Sequence, residues 1–466
     1  MTQTENNFDV LIIGGGAGGS SAAFSLATTA PKLRVALVEK HKLGGTCLNY
    51  GCDPTKTLLN TARLLQRSHQ AARYGVQLGS VGFNWKGVLA HVRQVQKDVL
   101  EGTQEQARQH LEQLGIKVWL AEASFVSPHE IMVKNHEGEQ TIRATNIIVA
   151  SGTRTAELPI EGLKETGYIT NVEAVQLPNL PGRLAIIGGG PIGVEFAQMF
   201  QRFGVDVTVL EHSPTVLSTE DQELAQALSK ILAGEGIHFE TGVELQKVKR
   251  NSDGSKRLTF KCENHTPEDL VVDEILLAAG RAPNLEGLNL EEMGVETTKD
   301  GITVNKNMRS SVAHIWAVGD ITGGLQFTHV ADAQAQTVAH NITAKQPQAF
   351  DNRVIPWVTY TDPELAHVGQ TEEQLQKSKL EYKVARMQFS QVERAKINDE
   401  TAGMVKLLVG HDHKILGGHI LGAGAGELLA PIVLAMKVEL PVGQLASLIL
   451  PYPTLGEAIK QAAGQI

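Results

Sequence analysis

Residues 8–27 read FDVLIIGGGAGGSSAAFSLA, an apolar run followed by a glycine turn and then by small residues at helical spacing. That order predicts strand, turn, helix. A second apolar run, RVALVEK at residues 34–40, ends in Glu39 and Lys40 and completes a strand-helix-strand unit. Gly14, Gly16 and Gly19 form G-x-G-x-x-G directly after the first strand. In that spacing one glycine makes the tight turn, one lets a pyrophosphate approach the backbone, and one lets helix and strand pack closely. The helix N-terminus, carrying about +0.5 of a charge, then faces the diphosphate. Glu39 stands where a carboxylate hydrogen-bonds a ribose diol.

The same architecture returns at residues 183–214, RLAIIGGGPIGVEFAQMFQRFGVDVTVLEHSP, with Gly188, Gly190, Gly193 and, at the end of the second strand, Glu211. Two such units imply two dinucleotides, most simply FAD and a nicotinamide. Glu211 favours NADH over NADPH. A carboxylate pairs with a free 2'-hydroxyl and repels a 2'-phosphate, and no arginine occupies the following HSPTVLS segment.

A chain of 466 residues is too long for one hydrophobic core, so roughly three domains of about 150 residues are expected. With 42% hydrophobic and 20% charged residues, the composition is that of a soluble globular protein without long disordered tracts. A net charge of -9 and the absence of any basic run disfavour nucleic acid and anionic membrane as partners. The partner is expected to be small. The N-terminal MTQTENNFDVLIIGGG has no basic segment leading into a cleavable apolar one, and no window reaches the ~18 apolar residues of a membrane span, which predicts a cytoplasmic protein.

Helices are expected over residues 55–74 and 86–114, and short antiparallel strands at VWLAEASFVS and EIMVKN. ATNIIVASGT, carrying Ser151 and Gly152, closes the first part. EILLAAGRAPN, with Gly280 and Arg281, and HIWAVGDIT, with Gly319 and Asp320, read as buried strands that end in glycine turns. From about residue 349 the pattern becomes strands (GMVKLLVG, KILGGHILG) and two terminal helices, a separate α+β domain. The expected fold class is therefore α/β, with two Rossmann-like dinucleotide-binding domains and a C-terminal α+β domain. Expected boundaries are 1–150 and 279–348 for the two parts of the FAD-binding domain, 151–278 for the NAD(P)-binding domain and 349–466 for the last.

Two of the three cysteines, Cys47 and Cys52, lie in GGTCLNYGCDPTKTLL at residues 44–59. A structural zinc site needs about four ligands, and no second Cys/His pair stands at matching spacing. Two packed thiols or a redox pair remain. The pair lies near the start of the helix expected at DPTKTLLNTARLL, where the dipole favours a thiolate, and this favours the redox reading. Cys262, in LTFKCEN, has no nearby partner and reads as a packed strand residue.

Two glycine fingerprints flanking GGTCLNYGCDPTK, followed by AAGRAPN, AVGD and a terminal PTLGE, resemble the FAD-dependent pyridine nucleotide-disulfide oxidoreductases, which include dihydrolipoamide dehydrogenase, glutathione reductase and mercuric reductase. The resemblance covers essentially the whole chain. It implies a homodimer formed through the C-terminal domain and a redox disulfide between Cys47 and Cys52. Cys47 would meet the acceptor, and Cys52 would lie against the flavin in a charge-transfer contact. Lys56 would sit near the flavin's reactive nitrogen with Glu195 as its partner. Asp320 would bind the ribityl chain, and the helix beginning at Thr328 and His329 would face the pyrimidine edge. Gly45, Thr46, Ser151, Gly152, Gly280, Arg281 and Gly319 join the cofactor set.

Members that reduce disulfides end in H-P-T-x-x-E, whose histidine is the acid/base for the thiols. This chain reads PYPTLGE, with Tyr452 in the histidine's place and Pro453, Thr454 and Glu457 retained. Histidine titrates near 6.5 and tyrosine near 10, and losing a matched acid/base typically costs ~10² to 10⁴ in rate. A PY pair here is similar to mercuric reductase, in which the acceptor is a metal ion. That likeness is incomplete, because the last cysteine in the sequence is Cys262 and Glu211 points away from NADPH. Tyr50 and Asp53 occupy positions that are usually aliphatic in the family; Asp53 either disfavours the neighbouring thiolate or faces solvent at the helix start. The leading expectation is a flavoenzyme passing electrons from NADH to a metal ion or other small acceptor. The alternatives are a dihydrolipoamide dehydrogenase-type enzyme and a flavin-bearing redox sensor.

Overall fold

The computed structural model describes residues 6–262 and 266–466. The chain forms two compact units. The first gathers the chain through Thr57 with Gly87–Ala156 and Gly280–Asp351; the second gathers Leu58–Lys86, Glu157–Ala279 and Asn352–Ile466.

The first unit is built on a parallel sheet. Strand β1 (Asn7–Ile13) lies between β2 (Val35–Glu39) and the C-terminal half of β6 (Gly138–Val149); β3 (Ile116–Leu120) adds outside β2 and the strand Ile315–Ala317 adds beside β6. The uninterrupted VLII run of β1 follows from burial on both faces. Leu11 and Ile13 join one apolar cluster with Ala36, Val38 and Ile147, while Val10 and Ile12 join another with Val35, Leu37 and Ile148. Burying each such aliphatic side chain stabilises the sheet by roughly 1.5–3 kcal/mol. Strands β4 (Glu122–Ser127) and β5 (Glu130–Asn135) form an antiparallel extension from the other half of β6.

Two local expectations need correction. VWLAEASFVS is not one antiparallel strand, because its first half belongs to the parallel β3 and the chain turns at Ala121 into β4. The single helix expected over 86–114 is two, α4 (Trp85–Val99) and α5 (Gln104–Gln113). Glu101 and Gly102 take positive φ (55° and 136°), and Thr103 caps α5 with a reciprocal box to Gln106, so the apolar period continues while the backbone breaks.

In the second unit the other fingerprint sheet is parallel throughout, in the order His238–Thr241, Asp206–Glu211, Arg183–Ile187, Glu274–Leu277. The C-terminal part is an antiparallel sheet in the order Pro356–Thr359, Glu364–Gly369, Ile415–Gly422, Met404–Gly410, Tyr382–Gln388. Short helices pack on it, Glu457–Ala463 last. Within GMVKLLVG, Lys406 is 1% exposed and is held by Asp221, Glu223 and Glu372 at 2.6–2.9 Å. Cys262 ends the strand Lys256–Cys262, half-buried against the unit's apolar cluster. Among the described residues, no helix is long and apolar enough to cross a membrane.

Candidate active site

The three glycines of each fingerprint divide the work in the same way. Gly14 and Gly188 turn with φ of +105° and +109°, and a Cβ on either would strike the neighbouring strand's backbone, Ala150 O at 2.3 Å and Ala278 O at 2.6 Å. A Cβ on Gly19 or Gly193 would lie 1.8 or 1.9 Å from the carbonyl oxygen of Gly14 or Gly188, so helix and strand touch there. The middle glycines differ. A Cβ on Gly190 meets nothing within 4 Å, and one on Gly16 meets only Gly45 Cα at 3.8 Å. Protein packing does not require a glycine at these two positions; an open cradle over a helix N-terminus fits a diphosphate. The helices α1 (Ala17–Thr29) and Pro191–Arg202 both start without a side-chain cap, leaving backbone N–H groups free to donate.

Glu39 and Glu211 are held alike. Glu39 accepts the Gly15 N–H at Oε2 and the His41 N–H at Oε1, both at 2.6 Å; Glu211 accepts the Gly189 N–H at 2.5 Å and the Ser213 N–H at 2.6 Å. Each carboxylate is fixed at the rim of its glycine turn, with further acceptor capacity for a ribose diol. Both turns therefore fit a dinucleotide.

Cys47 sits in α2 (Gly45–Tyr50) and Cys52 opens α3 (Cys52–Gln70); the two helices are separated by Gly51. α2 is docked on the first fingerprint: Gly44 N–H donates to Gly15 O at 2.8 Å, and a Cβ on Gly45 would come within 2.7 Å of Gly16 Cα. Both thiols are half-buried. They titrate in opposite directions. The hydrogen bond from Cys47, helped by Thr328 and by the Lys56 charge, lowers Cys52 from 9.0 to about 6 against the effect of burial. Cys47 is raised, first by that same hydrogen bond and then by burial. The coupling favours the proton on Cys47 and the thiolate on Cys52.

Three surrounding elements contribute to this. Lys56 lies one turn along α3 from Cys52, on the same face. Thr328 Oγ1, at the uncapped start of the helix Thr328–Thr343, lies 3.6 Å from Cys52 Sγ, and His329 follows it with its ring stacked on Phe327. Asp53 is half-buried; burial raises its pKa, and its charge raises both thiols, so it acts on the pair and does not merely face solvent. Tyr50 stacks under the Lys42 ammonium at 5.2 Å.

The remaining residues of this unit that the resemblance assigns to the cofactor fall largely into short hydrogen-bonded groups. Arg281 donates from Nε to Thr153 Oγ1 at 2.6 Å, and Thr153 Oγ1 donates to Asp320 Oδ2 at 2.8 Å. Ser151 Oγ donates to Asn284 O, Asn284 N–H donates to Gly152 O, and Gly319 N–H donates to Gln334 Oε1 at 2.7 Å. Gly280 accepts the Ala156 N–H, Thr46 follows Gly45 in the first turn of α2, and Lys40 is exposed beyond Glu39. The structure thus brings Gly14, Gly16, Gly19, Glu39, Gly45, Thr46, Cys47, Cys52, Lys56 and the Arg281–Thr153–Asp320 chain into one unit.

The second unit holds the others. Glu195 is buried on the helix Pro191–Arg202, with Oε1 accepting the Tyr360 N–H at 2.8 Å. Tyr452 donates its hydroxyl proton to Glu393, which raises the phenol's pKa; Glu457, three positions past Thr454, acts on it more weakly through its charge. Glu393, Thr153 and Gln334 were not singled out in the sequence. Their sequence separation from the groups they serve leaves no local motif that could reveal them. No group of three or more metal-ligating side chains occurs among the described residues.

Fold and site together define a two-dinucleotide flavoprotein with a redox-active dithiol. The family model for the pyridine nucleotide-disulphide oxidoreductases matches residues 8–335, and the model for the dimerisation domain of the same family matches residues 355–463. The chain belongs to this family. It is 35% identical to the mercuric reductase of Staphylococcus aureus, the match covering 98% of this chain and 82% of that one. It is 34% identical to dihydrolipoyl dehydrogenase 3 of Pseudomonas putida, over 98% and 97%. Among solved structures it resembles the HOCl-induced flavoprotein disulfide reductase RclA of Escherichia coli, with a TM-score of 0.86, 28% identity, and coverage of 98% of this chain and 100% of that one. The protein is an FAD- and NAD(P)H-dependent oxidoreductase of the disulfide reductase type with the family's dimerisation domain.

Proposed function

We propose that this enzyme works as a homodimer that uses NADH to reduce Cys47 and Cys52 and passes the electrons to a metal ion or another small acceptor, not to a disulfide or to lipoamide. FAD, when bound, carries the electron pair between nicotinamide and thiols. Cys47, the thiol with the raised pKa, meets the acceptor. Cys52 holds the thiolate, with Lys56, Thr328 and the helix N-terminus of α3 balancing its charge. Arg281, Thr153 and Asp320 fix a polar rail for the cofactor's sugar chain, and Gly16 and Gly190 give room for the diphosphates.

The observation that carries this reading is the Tyr452–Glu393 hydrogen bond. A phenol whose only proton is donated to a carboxylate, and whose pKa is raised by it, stays protonated through neutrality and does not serve as the base for a departing thiol proton. The mercuric reductase relative supports a metal-ion acceptor, as does RclA, which has also been solved as a Cu(II) complex. The dihydrolipoyl dehydrogenase relative, almost equally similar, supports the dithiol reading instead. Oxidation of NADH driven by Hg(II) or Cu(II), measured beside dihydrolipoamide-driven reduction of NAD, separates the two. Metal-dependent turnover with little lipoamide activity is the expected outcome, and the reverse overturns the proposal. A redox sensor would give neither.

NADH is the expected donor because Glu211 is pinned at its turn by two backbone N–H groups and cannot swing away from a 2'-phosphate. Glu211→Ala should narrow the NADH-over-NADPH ratio of kcat/KM by about tenfold or more, the cost of one close like-charge contact. A wild type that already prefers NADPH would refute this role for Glu211.

A further inference from the structure

The geometry points to Gln96 and Gln104 as positioning residues that hold Cys47 in register with Cys52. Cys47 and Cys52 are on different helices, so no helical repeat fixes their separation; Gly51 intervenes with φ -126° and ψ -110°. Their relation depends on how α2 is anchored. At six residues α2 is far shorter than a helix that is stable alone, and its last carbonyls have no partner within the helix.

Side chains from outside α2 supply what it lacks. The Gln96 amide, from α4, donates to Leu48 O at 3.0 Å and to Asn49 O at 2.9 Å, the carbonyls just after Cys47. At the other end, Gln104 of α5 accepts the Leu43 N–H at 2.9 Å and donates to Leu43 O at 3.2 Å. Asn49 closes the frame, donating to Leu43 O at 3.0 Å and Gly45 O at 2.8 Å. All three amides are half-buried, where water replaces a lost hydrogen bond poorly. Docking of Gly44 and Gly45 on the fingerprint fixes the start of α2, and Gln96 fixes its end. Without Gln96 the helix end that follows Cys47 is free to fray, which lowers the effective concentration of one sulfur at the other.

The inference rests on Cys47 and Cys52 being the redox pair, and the test separates the two ideas. FAD-loaded protein is equilibrated anaerobically with dithiothreitol redox buffers, acid-quenched and alkylated, and the oxidised fraction is read by peptide mass spectrometry. In this exchange the Cys47–Cys52 S–S bond forms as oxidised dithiothreitol takes up the two electrons and two protons released. Gln96→Met, which keeps the side chain's length but not its amide, should lower the equilibrium constant for disulfide formation by about tenfold. Gln96→Glu, which offers acceptors to two carbonyls, should lower it at least as much. Gln94→Met, an exposed residue of the same helix, should leave it unchanged. Gln104→Met loosens the opposite end and gives an independent variant should Gln96→Met fail to fold. If Gln96→Met or Gln104→Met lowers the melting temperature while the equilibrium constant stays within about twofold of wild type, both residues are structural only and the inference fails. If the wild type forms no Cys47–Cys52 disulfide in any buffer, the redox-pair reading itself is wrong.

Discussion

Replacing Tyr452 with histidine should raise dihydrolipoamide-linked NAD reduction by about 10- to 100-fold, at or below the low end of the ~10² to 10⁴ that a matched acid/base residue contributes. The physical reason is the proton left over when a dithiol is oxidised. A tyrosine, with its pKa already raised by Glu393, has no capacity to take that proton near neutrality; an imidazole titrating near 6.5 has it. The gain falls short of the full factor because the carboxylate that engages position 452 in this chain is Glu393, whereas the family motif supplies the residue at Glu457. Adding Glu393→Gln to the histidine variant tests which carboxylate orients the ring. Tyr452→Phe is the control. It removes the hydroxyl while keeping the ring, and lipoamide activity should stay as low as in the wild type. An unchanged Tyr452→His variant would mean that this position does not decide the acceptor.

The parts of this site that were legible in the sequence are those fixed by short-range backbone geometry. Gly14, Gly16 and Gly19 could be assigned because turn, cradle and packing contact all lie within six residues, and Gly188, Gly190 and Gly193 repeat them. The carboxylates at the ends of the second strands followed from strand length. The break between α4 and α5 carried a readable cue too, the T-x-x-Q of Thr103 and Gln106, but the apolar period ran across it and outweighed it. Three C-terminal strands are not legible: Pro356–Thr359 has only four residues, and Glu364–Gly369 and Tyr382–Gln388 lack a clean apolar–polar alternation. Lys406 shows why pattern alone misleads in this region. A lysine inside an apolar strand suggests an exposed position, yet three carboxylates from sequence-distant segments neutralise it at full burial. Gln96 below α2 and Glu393 at Tyr452 were invisible for the same reason, since they are tertiary partners with no period to announce them.

The second large effect concerns the thiols themselves. In the FAD-loaded, reduced wild type, the rate of Cys52 alkylation should follow a thiolate titrating near 6, and Cys47→Ala should move that midpoint back toward 9.0. The sign follows from the ordering of causes. The hydrogen bond donated by Cys47 is the largest factor favouring the Cys52 thiolate, and burial is the largest opposing it, so deleting the donor leaves burial to dominate. Thr328 and Lys56 persist in the variant and keep the shift below its full extent. At neutral pH the wild-type Cys52 is mostly thiolate and the variant's mostly thiol, so the alkylation rate there should fall by about tenfold or more. Asp53→Asn should act in the opposite direction, lowering the midpoint further, because its charge opposes both thiolates. A Cys47→Ala midpoint still near 6 would show that Lys56 and the helix N-terminus suffice to hold the charge. The division of labour between the cysteines would then not come from the hydrogen bond between them.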